Sequence, residues 1–113
     1  MENTTREQIK ALITESVGAN PGRISEIMVE LSALYAFVGQ QLEDILVFKA
    51  DRWLEIRQRE EIKSDKNAER IWEASSEGKD EIRFRSQLKY LEKHLSSMKF
   101  RLKIKEGESF GRF

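Results

Sequence analysis

Two stretches of this chain carry apolar residues in the same alternation of four and three. In the first they fall at Ile24, Met28, Leu31, Tyr35, Val38, Leu42 and Ile45, and in the second at Phe84, Leu88, Leu91, Leu95, Met98 and Leu102. A 3.5-residue spacing keeps one stripe of an α-helix turned toward a partner along its length. One short polar stretch separates the two. The expected fold is therefore all-α: a long antiparallel helical hairpin, coiled-coil-like, over residues 23–105, with a short N-terminal helix and a short helix near the turn.

Local signals place the remaining elements. Thr5-Arg6-Glu7-Gln8 reads as a capping box with Thr5 as N-cap. Ile9, Leu12, Ile13 and Val17 give the helix it opens one apolar face, and Gly18 reads as its stop. Asn20-Pro21-Gly22 reads as a turn. The first long arm is expected over 23–62. Lys63–Lys66 reads as the turn, and Ser64 as the N-cap of a helix over 65–77 that carries Ile71, Trp72 and Ala74. Gly78 either breaks or kinks the chain before the second arm, 79–105, or is carried within one continuous helix, since glycine costs only about 1 kcal/mol there. Residues 106–113 read as a flexible tail. At 113 residues the chain is expected to be a single domain.

Around Leu31 to Val38 the apolar surface is wider than one partner helix covers, which suggests a second contact, either the N-terminal helix or another protomer. Leu31, Leu34, Tyr35, Phe37 and Val38 are the expected contact of a homo-oligomer.

Charged residues make up 35% of the chain, the composition of an exposed bundle or coiled coil. The net charge of zero hides an asymmetry. Residues 23–62 carry five bases and eight acids, whereas residues 63–113 carry thirteen bases and nine acids. From Ile82 to Lys105 the bases are Arg83, Arg85, Lys89, Lys93, Lys99, Arg101, Lys103 and Lys105, with Glu92 as the single acid after Ile82. A basic stripe beside an apolar seam can meet an anionic partner, or it can meet the acidic first arm through Glu43, Asp44, Asp51 and Glu55.

The residues offer no catalytic constellation. His94 is the only histidine, at helical spacing from Leu91, Leu95 and Met98, and reads as a seam-edge side chain. There is no phosphate loop and no zinc or calcium motif. Glu60, Glu61 and Asp65 read as a solvated turn. No enzyme activity, cofactor or metal is expected. The absence of cysteine excludes disulfides and thiolate zinc sites, and suits a reducing cytoplasm. No apolar run approaches a membrane span, and no signal-peptide block opens the chain. A cytoplasmic protein without membrane contact is expected.

Lys49-Ala50-Asp51-Arg52-Trp53, continuing to Arg57, interleaves bases with a large aromatic ring. Bases neutralise phosphates and an exposed Trp stacks on unpaired bases. In the competing reading Trp53 belongs to the core and the bases to a solvated face. The candidate nucleic-acid-binding residues are thus Lys49, Arg52, Trp53 and Arg57 on the first arm. On the second they are Arg83, Arg85, Lys89, Lys93, Lys99, Arg101 and Lys103.

The block Lys49-Ala50-Asp51-Arg52-Trp53 closing a long helix is followed by the polar Ser75-Ser76-Glu77-Gly78-Lys79-Asp80. An amphipathic helix then runs from Leu88-Lys89-Tyr90-Leu91 to Met98-Lys99-Phe100-Arg101-Leu102-Lys103. Over residues 40–105 this order resembles the UvsY recombination mediators of T-even-like phages, with Trp53-Leu54 standing where that family has a tyrosine pair. The resemblance implies a non-enzymatic accessory protein of the host cytoplasm. Such a protein would assemble into rings, bind single-stranded DNA, and work with a recombinase and a single-strand-binding protein. The residues alone equally admit a coiled-coil adaptor or inhibitor that binds another protein through its helical faces.

Overall fold

The computed structural model describes residues 2–59 and 64–109, with side chains over 5–59 and 64–105. Its helices are α1 (Glu2–Ser16), α2 (Pro21–Arg57), α3 (Asp65–Ala74) and α4 (Ser76–Ser109). Among the described residues there is no strand, so the all-α hairpin of the periodicity is the observed fold.

The boundaries differ from the sequence reading in instructive ways. α1 begins at Glu2, so Thr5 lies inside the helix and is no cap. Glu2-Asn3-Thr4 holds no helix breaker. Val17 is 75% exposed. The helix ends at Ser16, so Val17 lies outside it and is not held on the face of Ile9, Leu12 and Ile13.

Asn20-Pro21-Gly22 is a helix start. The Arg23 N–H donates to Asn20 Oδ1 at 2.8 Å, and the Ile24 N–H donates to the Asn20 carbonyl at 2.9 Å. Pro21 is the first helical residue, where a missing N–H costs nothing. α2 then runs 37 residues, about 55 Å, and ends at Arg57 rather than 62. Glu60, Glu61, Ile62 and Lys63, where the arm and turn were expected to meet, lie outside the described residues.

Ser64 caps α3 as expected, its Oγ accepting the Asn67 N–H at 3.1 Å. The break before α4 falls at Ser75, three residues before Gly78. The Ser75 N–H donates to the Trp72 carbonyl at 3.0 Å, ending α3. The Ser75 side chain accepts the Gly78 N–H at 3.0 Å, opening α4. Gly78 is required for closeness, not flexibility: a Cβ there would lie 1.8 Å from the Trp72 carbonyl oxygen. α4 continues past Lys105 to Ser109, and no breaker stops it there, since Gly107 costs only about 1 kcal/mol in a helix. Residues 110–113 of the expected tail lie outside the described residues.

The chain forms two compact units, residues 1–37 with 87–113 and residues 38–86, with α2 and α4 contributing to both. In the first unit, Ile24, Ile27 and Leu31 of α2 pack with Leu91 and Met98 of α4 and Ile9 of α1. Each fully buried aliphatic side chain contributes roughly 1.5–3 kcal/mol. Two hydrogen bonds fix the antiparallel course here. Tyr35 Oη donates to Glu92 at 2.6 Å, and Lys105 Nζ donates to the Ala19 carbonyl at 3.2 Å. Arg23 at the start of α2 binds both carboxylate oxygens of Glu15 near the end of α1, stapling the turn between them. This pairing holds the Glu15 carboxyl below the usual carboxylate range.

In the second unit Ile56 of α2 packs with Ala68 and Trp72 of α3, and Ile45, Trp53 and Ile71 close around them. Trp72 is almost fully buried.

Candidate nucleic-acid interface

α4 turns Leu91 and Met98 into the core of the first unit. Helical periodicity then sends Lys89, Lys93, Phe100 and Lys103 to the opposite side, and all four are exposed. Phe100 is 66% exposed and Tyr90 42%. The Tyr90 ring meets His94 edge-on, with centroids 4.4 Å apart, so a half-buried imidazole steadies the exposed phenol. Glu92, the one acid between residues 82 and 105, is occupied by the Tyr35 hydroxyl. Lys89, Lys93, Lys99 and Lys103 have no ion-pair partner among the described residues. The alternative expectation, pairing of this arm with Glu43, Asp44, Asp51 and Glu55, finds no such pair there. The face combines unneutralised ammonium groups with two accessible aromatic rings.

The other sequence-predicted residues are placed differently. Lys49 is half-buried in a polar knot in the second unit. Its Nζ lies 3.2 Å from carboxylate oxygens of Glu69 and Glu81 and 5.7 Å from the centre of the Trp72 ring. Glu81 also accepts Trp72 Nε1 at 2.8 Å and Arg85 Nε at 2.9 Å. Burial alone would raise the Glu81 pKa, but the hydrogen bonds from Arg85, Trp72 and Lys49 outweigh it and hold the carboxyl below its usual range. Burial likewise opposes the charge on Lys49, and its two carboxylate partners overcome that and raise its pKa. Lys49 and Arg85 are therefore engaged in holding α2, α3 and α4 together within this unit.

Arg52 pairs with Glu55 at 3.1 Å, Arg57 with Asp65 at 2.9 Å and Arg83 with Asp80 at 3.5 Å. Trp53 is half-buried against the Ile56–Trp72 cluster, the core reading of that ring. Arg101 is turned inward. Its Nη2 donates to Ser16 Oγ at 3.2 Å, and its Nε is buried without a hydrogen-bond partner. Beside Lys105 it caps the C-terminal end of α1, where a cation complements the helix dipole. Of the eleven candidates, Lys89, Lys93, Lys99 and Lys103 are thus the ones exposed on α4 with no ion-pair partner among the described residues. Sequence reasoning missed Phe100 and Tyr90 as members of that face. The exposure of Phe100 was signalled by its position half a turn from Met98, whereas Tyr90 lies about a quarter-turn from Leu91 at the flank of the face.

Of the expected oligomer contact, Leu31 and Val38 are fully buried within the chain, and Leu34 and Tyr35 are half-buried against its core. α1, the other cover expected for this surface, joins that core through Ile9, and Ile27, absent from the expected seam, shares it. Phe37 alone of the five is exposed, at 46%.

Among the described residues no group of three or more His, Asp or Glu side chains is arranged to hold a metal ion. No described helix is long and apolar enough to cross a membrane. No protein-family model matches the chain, and no curated protein or solved structure matches it.

Proposed function

We propose that this chain is a non-enzymatic accessory protein that binds single-stranded DNA along the outward face of α4, in support of recombination or replication. The observation that carries this is the group of four lysines without acidic partners, interleaved with exposed Tyr90 and Phe100. Lysines spaced along one helix face neutralise successive phosphates and release their counterions. Exposed rings stack on bases only where those bases are unpaired, which selects single strands over duplex.

The test is a titration of labelled oligothymidylate, followed by fluorescence anisotropy over a range of salt concentrations. Lys89→Ala with Lys93→Ala should weaken binding and reduce the salt slope by about 1.4, roughly 0.7 for each phosphate contact on a single strand. Phe100→Ala should weaken binding and leave the slope unchanged, since stacking releases no counterion. Absence of binding by the wild-type protein at low salt would remove this function and favour an adaptor that binds another protein.

A further inference from the structure

α2 carries an outward face in the second unit whose chemistry complements that of α4. Gln40, Glu43, Val47, Ala50 and Leu54 repeat the alternation of three and four on the side away from buried Leu42 and Ile56, and all five are exposed. Val47 is 67% and Leu54 57% exposed, a large cost in water for two aliphatic side chains one heptad apart. Acids border them. Glu43, Asp44 and Asp51 are exposed and have no ion-pair partner among the described residues, although Asp44 accepts a hydrogen bond from Gln40 at 3.0 Å. Lys89, Lys93, Phe100 and Lys103 on the outward face of α4 have the opposite sign and a similar alternation. Each stripe is about fourteen residues long, roughly 21 Å of helix.

We infer that the acidic outward face of α2 receives the basic outward face of α4 from a second copy of this chain. Charge decides the pairing. Two α2 faces together would set acid against acid, and two α4 faces lysine against lysine. Only the crossed arrangement neutralises both. It also brings Val47 and Leu54 out of water against the exposed Phe100 and Ile104 of the partner copy. Because the two faces are different patches, the contact is heterologous and leaves the α4 face of one copy and the α2 face of the other open to a further copy. The net charge of zero fits a chain that is its own counterion. The contact does not depend on nucleic-acid binding.

Sedimentation velocity on the wild-type chain at low salt should give a weight-average mass at least twice the 13.3 kDa monomer. The mass should fall toward monomer near 1 M salt, where the Debye length is about 3 Å. Asp44→Lys with Asp51→Lys should be monomeric, and so should Lys89→Glu with Lys93→Glu. Circular dichroism should show both variants as helical as wild type. Mixed one to one, they should associate again, because each restores the opposite sign facing the other. A wild-type chain that stays monomeric at low salt, a variant that still associates alone, or a mixture that does not recover would each overturn the contact.

Discussion

Glu81 is the side chain on which the second unit turns. It is 8% exposed and takes hydrogen bonds from three partners on three helices. Glu81→Ala would leave the buried Trp72 indole N–H without its acceptor and the Lys49 ammonium with Glu69 as its one carboxylate. Breaking a buried charged group's partnership costs about 3–5 kcal/mol, so urea unfolding should show a loss of that size. Glu81→Gln retains an acceptor for one donor and should cost less. The pH dependence follows from the depressed carboxyl. The Glu81 contribution is fully present above the ordinary carboxylate pKa of about 4.3 and is lost as pH falls through its lower folded value. The stability advantage of wild type over Glu81→Gln should therefore shrink in acid. An advantage that stayed constant from neutral pH down to pH 2 would show the carboxylate charge contributes nothing. Little of this knot was legible beforehand. Glu81 and Trp72 are nine residues apart, a spacing that suggests no contact until a helix break folds one helix back on the next.

That break is the main feature at the scale of elements. Ser75 ends α3 with its backbone and opens α4 with its side chain, and Gly78 lets the first turn of α4 lie against the Trp72 carbonyl. Gly78→Ala should force the α3–α4 junction apart and destabilise by about 1–3 kcal/mol, as overpacking does. Ser75→Ala should cost about 1 kcal/mol as a lost cap. Thermal melts of the two variants would rank them. If Gly78→Ala melted with wild type, the close approach would not be a constraint. The helices themselves were legible because periodic apolar residues specify a face whatever lies opposite it. Ser64 and Ser75 illustrate the limit. Ser64 follows a turn-like polar run and could be recognised as a cap, whereas Ser75 lies in an unbroken helical pattern where Gly78 gave the louder signal. The basic arm was legible as a charge stripe. Which cations remain available was not, because Arg101 is withdrawn by Ser16, 85 residues earlier in the chain.

For the whole molecule, the same lysines serve both proposed contacts, and that makes the two mutually exclusive at one α4 face. A single strand on Lys89, Lys93 and Lys103 neutralises the charge that a second copy's Glu43, Asp44 and Asp51 would otherwise meet. It also covers Phe100. Adding a short oligothymidylate to the associated protein should then release protein monomers, each carrying DNA. Raising the protein concentration at fixed DNA should reverse this by mass action. Sedimentation velocity with the DNA and the protein monitored at separate wavelengths distinguishes the outcomes. Co-sedimentation of oligonucleotide with an undiminished protein assembly would mean that the faces do not coincide. Release by oligothymidylate but not by an equal charge of polyglutamate would point to stacking on Tyr90 and Phe100, since both polyanions screen the lysines and only one presents bases.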